Sequence, residues 1–118
     1  MAEFVLQCKD YKEIQHEIAG AAVVAGEFDV VNDVNGFHLA IAAVGDESTL
    51  IVQAEKVKCP KQASLAINEG DVVYWDNTAK EIDKTNSNIL AGFCVRRAAQ
   101  ADTHVVIDFD GRSAFLKT

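Results

Sequence analysis

Ile67 to Asp76 constrains this chain more than any other stretch. Asn68, Glu69 and Gly70 form a turn signal, and the residues after them favour a β-strand and include the aromatic pair Tyr74-Trp75. Asp76-Asn77-Thr78-Ala79-Lys80 reads as the next turn and Glu81 to Thr85 as a returning strand. Neighbours on a strand point to opposite faces, so Tyr74 and Trp75 put an aromatic on each side of this hairpin. Such a strand is expected to be covered on both faces, by its own core and by a second layer or a partner. Trp75 is the member expected in the core.

The rest of the chain carries the same signature. Tyr11 to Ile18, Phe28 to Val31, Phe37 to Val44, Thr49 to Cys59, Ile89 to Val95 and His104 to Phe109 all read as strands. Asn32 to Gly36 reads as a turn, with Asn35-Gly36 suited to a tight hairpin. Gly20 to Gly26 is a small-residue run that suits either a strand or a buried turn of helix. The apolar phase of Thr49 to Cys59 changes near Glu55-Lys56, which predicts a bulge or bend. Ile89 to Val95 is apolar on both faces and so belongs in the middle of a sheet. Gly92 inside it predicts a bulge or a close backbone approach. Lys61 to Ala66, after Pro60, has helix-forming composition. The spacing of turns gives an all-β fold, a small β-sandwich or open β-barrel with one short helix, in one domain over residues 1–118. Residues 1–10 stand apart as a possible N-terminal arm and 108–118 as a C-terminal extension, with Ser113 to Leu116 a candidate last strand.

Chemical motifs are sparse. No Gly is followed by Lys, so there is no phosphate loop, and no Gly-x-Ser-x-Gly elbow is present. His16, His38 and His104 fall on three separate predicted strands without metal-ligand spacing. Asp71, Asp76, Asp108 and Asp110 lie at strand ends and turns, where Asp is an ordinary turn residue. Cys8, Cys59 and Cys94 read as free thiols. These patterns give no catalytic residue, no metal site and no cofactor. The net charge of −7 argues against nonspecific nucleic-acid binding. Arg96-Arg97 is the one adjacent basic pair, suited to salt bridges across a sheet or a subunit interface. The first residues lack the basic and apolar runs of a signal peptide, and no apolar run is long enough to span a membrane.

Three pieces of the sequence together resemble the bacteriophage capsid-cement, or head decoration, protein family, formerly classed only as a domain of unknown function. The first is Val44-Gly45-Asp46-Glu47 with Val52 to Val57, ending at Cys59-Pro60-Lys61. The second is Glu69 to Asp76 with Thr78-Ala79-Lys80, which makes Gly70, Asp71, Val73, Tyr74, Trp75 and Asp76 the signature positions. The third is Asn88 to Cys94, containing Gly92, then Ala98-Ala99 and Asp102 to Ile107. Two departures stand out: Ala101 where the family usually carries Gly, and a tail that runs on through Thr118.

The resemblance implies a non-enzymatic virion protein, made and assembled in the bacterial host cytoplasm. It implies binding to the outer surface of the expanded capsid, where the phage major capsid protein is the partner and neighbouring capsomers are bridged. It also implies self-association, as a homotrimer, with a dimer or monomer possible in free solution. Ala2, Glu3, Phe4, Val5 and Leu6 form a short, extended, apolar segment. It suits either an arm that adds a strand to a capsid-protein edge or the first strand of the chain's own sheet. A small β interaction module unrelated to virions remains the competing class.

Overall fold

The structure, a computed structural model, describes residues 3–18, 20–31 and 34–111. Nine strands are found there: β1 (Val5–Leu6), β2 (Tyr11–Glu17), β3 (Phe28–Val31), β4 (Val34–His38), β5 (Glu47–Pro60), β6 (Val72–Asp76), β7 (Glu81–Asp83), β8 (Ile89–Arg96) and β9 (His104–Asp110). They form a single sheet in the order β3-β4-β5-β9-β8-β6-β7. Strand β5 is the spine: Gln53 and Ala54 pair with β2 on one edge and with β9 on the other, and β1 extends the β2 side. The sheet curls into an open half-barrel. Phe28 on β3 and Trp75 on β6 belong to opposite ends of the strand order, yet their rings stack at 4.8 Å. The architecture is therefore the open-barrel alternative and not a two-sheet sandwich.

The inside of the curl is the core. Trp75 is 1% exposed and Phe4 3%. The Phe4 ring lies 5.0 Å from Trp75, 5.4 Å from Phe37, 5.6 Å from Phe109 and 5.7 Å from Phe28. Edge-on and tilted contacts of this kind suit the ring quadrupoles. The N-terminal segment thus plugs the half-barrel. Phe4 N–H donates to the Gly26 carbonyl, and Val5 and Leu6 pair with Lys58 and Val57. Of the two sequence readings of this segment, the strand of its own sheet is the one adopted; Ala2 lies outside the described residues.

The predicted phase change in β5 is a register shift between Ala54 and Val57 opposite β9, which leaves Glu55 and Lys56 both exposed. Gly92 sits at a second shift, between β6 and β8. Its φ is +145°, and a Cβ there would lie 1.9 Å from the Asp108 carbonyl oxygen, so only glycine fits. β8 lies between β9 and β6, as its two apolar faces required.

Four turns share one construction. In Val24–Glu27, Ala43–Asp46, Asn68–Asp71 and Ala99–Asp102 the fourth residue is acidic. Its backbone N–H donates to the first carbonyl, and its carboxylate accepts the first N–H. Gly26, Gly45 and Gly70 take the third position with positive φ, whereas Ala101 fills it without. The residues just before the turns form two reciprocal bridges, Val23 with Ala42 and Ile67 with Ala98. These turns start β3, β5 and β6 and lead into β9.

Three sequence expectations need correction. Lys61 to Ala66 is not a helix: Lys61 makes a bridge to Ile82, and Ala63-Ser64 is a turn with Ser64 at φ +62°. The Lys61 side chain is buried, and its ammonium donates to the carbonyls of Gln62, Leu65 and Gln100, which holds the segment extended around it. Tertiary hydrogen bonding overrides a weak helical propensity here. Asn35-Gly36 is not a turn, because both residues pair within the β3–β4 ladder, opposite Val30 and Asp29. The next strand stops at His38, and Leu39 to Asp46 is loop apart from the Ala42 bridge. Ser113 to Leu116 lies outside the described residues.

Candidate interaction surfaces

Backbone hydrogen bonds fasten the Gly70–Asp76 signature to β8. Gly70 N–H donates to the Cys94 carbonyl, and Cys94 N–H donates to Asp71. The Asp71 carboxylate accepts from Asn68 N–H at 2.8 Å and pairs with Lys84 at 3.1 Å. These contacts, the Asn68 bond first, hold its pKa below the usual aspartate value. Asp76 closes the following turn by accepting from Thr78 and Ala79 N–H, and Trp75 Nε1 donates to Asn77. Val73 and Trp75 point into the core, whereas Tyr74 is half-buried on the outer face. The signature residues therefore build a hairpin.

The most chemically suggestive group runs across three strands. His38 Nε2 meets Asp29 Oδ2 at 2.9 Å, and His38 Nδ1 meets Ser48 Oγ at 2.8 Å. Aspartate only accepts, so Nε2 carries a proton; in the neutral ring Nδ1 then accepts from the Ser48 hydroxyl. Nucleophilic catalysis needs a hydroxyl that substrate can reach. Ser48 is 4% exposed and His38 fully buried, so the string works as a polar staple tying β3, β4 and the start of β5. An open cleft of about 310 Å³ beside it is lined by His16, Glu27 and Asp29. There Glu27 accepts from Val24 N–H and Asp29 from His38. No group of three or more metal-ligating side chains occurs among the described residues. His104 pairs with Pro60 at the end of β5, whereas His16 and His38 pair with Ser48 and Leu50 near its start, so the three histidines do not converge. Burial raises the Cys59 and Cys94 thiol pKa values, which keeps them unreactive.

Two clusters of exposed apolar side chains stand out among the described residues. One is the loop lobe around the Val23–Ala42 bridge, where Val24, Leu39, Ile41 and Val44 are exposed, Ile41 at 77%. The other is the outer face of β6 and β8, where Val72 pairs with Phe93. Their exposures are 50% and 44%. Asp108 on β9 lies across from Phe93. Burial first, then Glu55 and Asp110, raises its pKa. Arg96 and Arg97 are exposed and form no ion pair with another described residue. Sequence reading did not single out the lobe, and on the outer face of β6 it expected a covering layer or partner from Tyr74 rather than from Val72 and Phe93. An exposed isoleucine in a loop and an aromatic on a predicted central strand gave no sign of their exposure.

Residues 8–109 match the family model described as phage cement protein. No curated protein and no solved structure matches the chain.

Proposed function

This chain belongs to the phage cement protein family, and from that membership we propose that it is a structural protein of the virion that binds the outer surface of the expanded head. It bridges neighbouring capsomers, with the major capsid protein as its partner, and acts without catalysis. On the head it sits as a homotrimer, so that modest contacts per copy sum to firm attachment. Assembly takes place in the host cytoplasm. The family match across residues 8–109 is the observation that carries this reading.

The loop lobe is the surface we assign to the capsid. Its apolar side chains project from turns, free of the sheet ladder, and a protruding apolar residue such as Ile41 becomes favourable only when a partner covers it. Segments 1–10 and 108–118 have different standings. Phe4 to Leu6 is committed to the core and to β5, so a capsid contact from this end falls to exposed Val5 and whatever precedes it. Residues 108–110 belong to β9, and Gly111 donates to the Val52 carbonyl and accepts from Asn35 N–H; residues 112–118 lie outside the described residues. Co-sedimentation with expanded heads lacking the protein tests the proposal. Saturable binding supports it, and protein left wholly in the supernatant of every matching capsid refutes it.

A further inference from the structure

Strand register sets two adjacent rows of side chains on the outer face. In the first, Val72 pairs with Phe93 and Phe93 with Asp108, and the exposed Glu55 lies in the neighbouring bulge of β5. In the second, Arg96 pairs with Val106, Val106 with Lys58, and Lys58 with Val5. The first row runs from apolar to acidic; the second is basic, apolar, basic, apolar. Among the described residues, the like charges of Glu55 and Asp110 act on Asp108. Neither Arg96 nor Lys58 forms an ion pair with another described residue. Exposed apolar side chains bordered by charges of both signs suit a partner surface with the complementary arrangement.

We propose that this face closes against the same face of a second copy of the chain, about a two-fold axis that crosses the strands between the two rows. Such an axis reverses strand direction and lays each row over the partner's other row. Arg96 then lies over the partner's Phe93 and beside the partner's Asp108, while Lys58 approaches the partner's Glu55. Each contact occurs twice, as an isologous interface requires. A guanidinium over a ring and beside a carboxylate combines cation–π attraction with a charge-assisted hydrogen bond. What selects a second copy over another partner is that the two rows are complements of each other within one face. The contact uses β8, β9 and the second half of β5 and leaves the Leu39 to Asp46 loop out of it, so capsid binding through that lobe does not depend on it.

Sedimentation equilibrium of the free protein, with Arg96→Glu and Asp108→Arg, tests this. Wild-type protein should have the mass of an even number of copies. Each single variant should halve that mass at the same concentration, with Trp75 fluorescence unchanged as the check on folding. An equal mixture of the two variants should regain the wild-type mass, because each new charge finds its opposite across the axis. One chain carrying both substitutions should regain it as well. A wild-type mass of one or three copies, single variants that keep the wild-type mass, or a mixture that stays halved would each overturn the inference. None of these results bears on whether the protein binds heads; the homotrimer on the head is a separate contact, and a free mass of three copies would support it while overturning this one.

Discussion

Phe4→Ala should remove a large part of the fold's stability, although the residue lies near the chain's start. Truncating a buried Phe costs about 3–5 kcal/mol, as lost transfer energy plus the cavity left behind. Four other aromatics surround this ring within 5.7 Å, and they come from β3, β4, β6 and β9. No neighbour can collapse into the space without leaving another strand uncovered, which favours the upper half of the range. A domain of this size is stable by roughly 5–15 kcal/mol, so about 4 kcal/mol is a large fraction of the total. With a urea m-value of about 1–3 kcal/mol/M, the midpoint should fall by about 2 M. The single tryptophan, Trp75, reports directly, because Phe4 packs edge-on against it. Val5→Ala is the control: Val5 is 50% exposed and should change stability by about 0.5 kcal/mol or less. A loss below about 1 kcal/mol for Phe4→Ala would show that residues 3–6 form a peripheral arm and that the core closes without them.

Gly92→Ala should cost about 3 kcal/mol or more, since the new Cβ meets the Asp108 carbonyl and φ is +145°; a near-neutral result in a urea titration would refute the close approach. Asp108 should titrate above the ordinary aspartate value of 3.8, for its pKa is raised in the fold. The folded state then holds more protons than the unfolded one within that window, so Asp108 makes stability fall as pH rises from 3.8 through the raised value. Asp71 acts in the opposite sense: its contribution is present above 3.8 and is lost as pH falls through its lowered value. Carboxyl-detected NMR titration with Asp108→Asn and Asp71→Asn separates the two slopes. Ile41→Glu should leave the urea midpoint unchanged, because Ile41 is 77% exposed, while lowering occupancy on expanded heads severalfold; unchanged occupancy would take the lobe out of the capsid contact.

Period-two patterning made most of the sheet legible. In His104 to Phe109, Val105, Ile107 and Phe109 are buried and His104 and Asp108 half-buried, as alternation predicts, but Val106 on the outward phase is buried as well. The phase change at Glu55-Lys56 and the glycine in β8 announced the irregularities of the ladder, because a bulge must break alternation and a close approach excludes a side chain. Lys61 to Ala66 misled because propensity is local, whereas three carbonyls from two segments hold the Lys61 ammonium. Asn35-Gly36 misled for a related reason: glycine there makes room for the Ile51 carbonyl, which would lie 2.5 Å from a Cβ, and not for a turn. The four acidic turns were within reach. An apolar or small residue, two variable ones, Gly or Ala and then an acid recur at Val23, Ala42, Ile67 and Ala98, but they are separated by strands of unequal length. Curl was not legible, since nothing local says that Phe28 will stack on Trp75. For that reason the sequence could not decide between sandwich and open barrel, or show which side chains face outward unpaired.

The most direct measurement of the central claim is the survival of filled heads under heat or chelator, with and without added protein. Expanded heads that lack the protein should bind it to saturation and then retain their DNA at temperatures or chelator concentrations that empty the bare heads. Heads that bind it yet empty at the same point would contradict a stabilising role. Heads that take up none at saturating concentration would contradict the cement function itself.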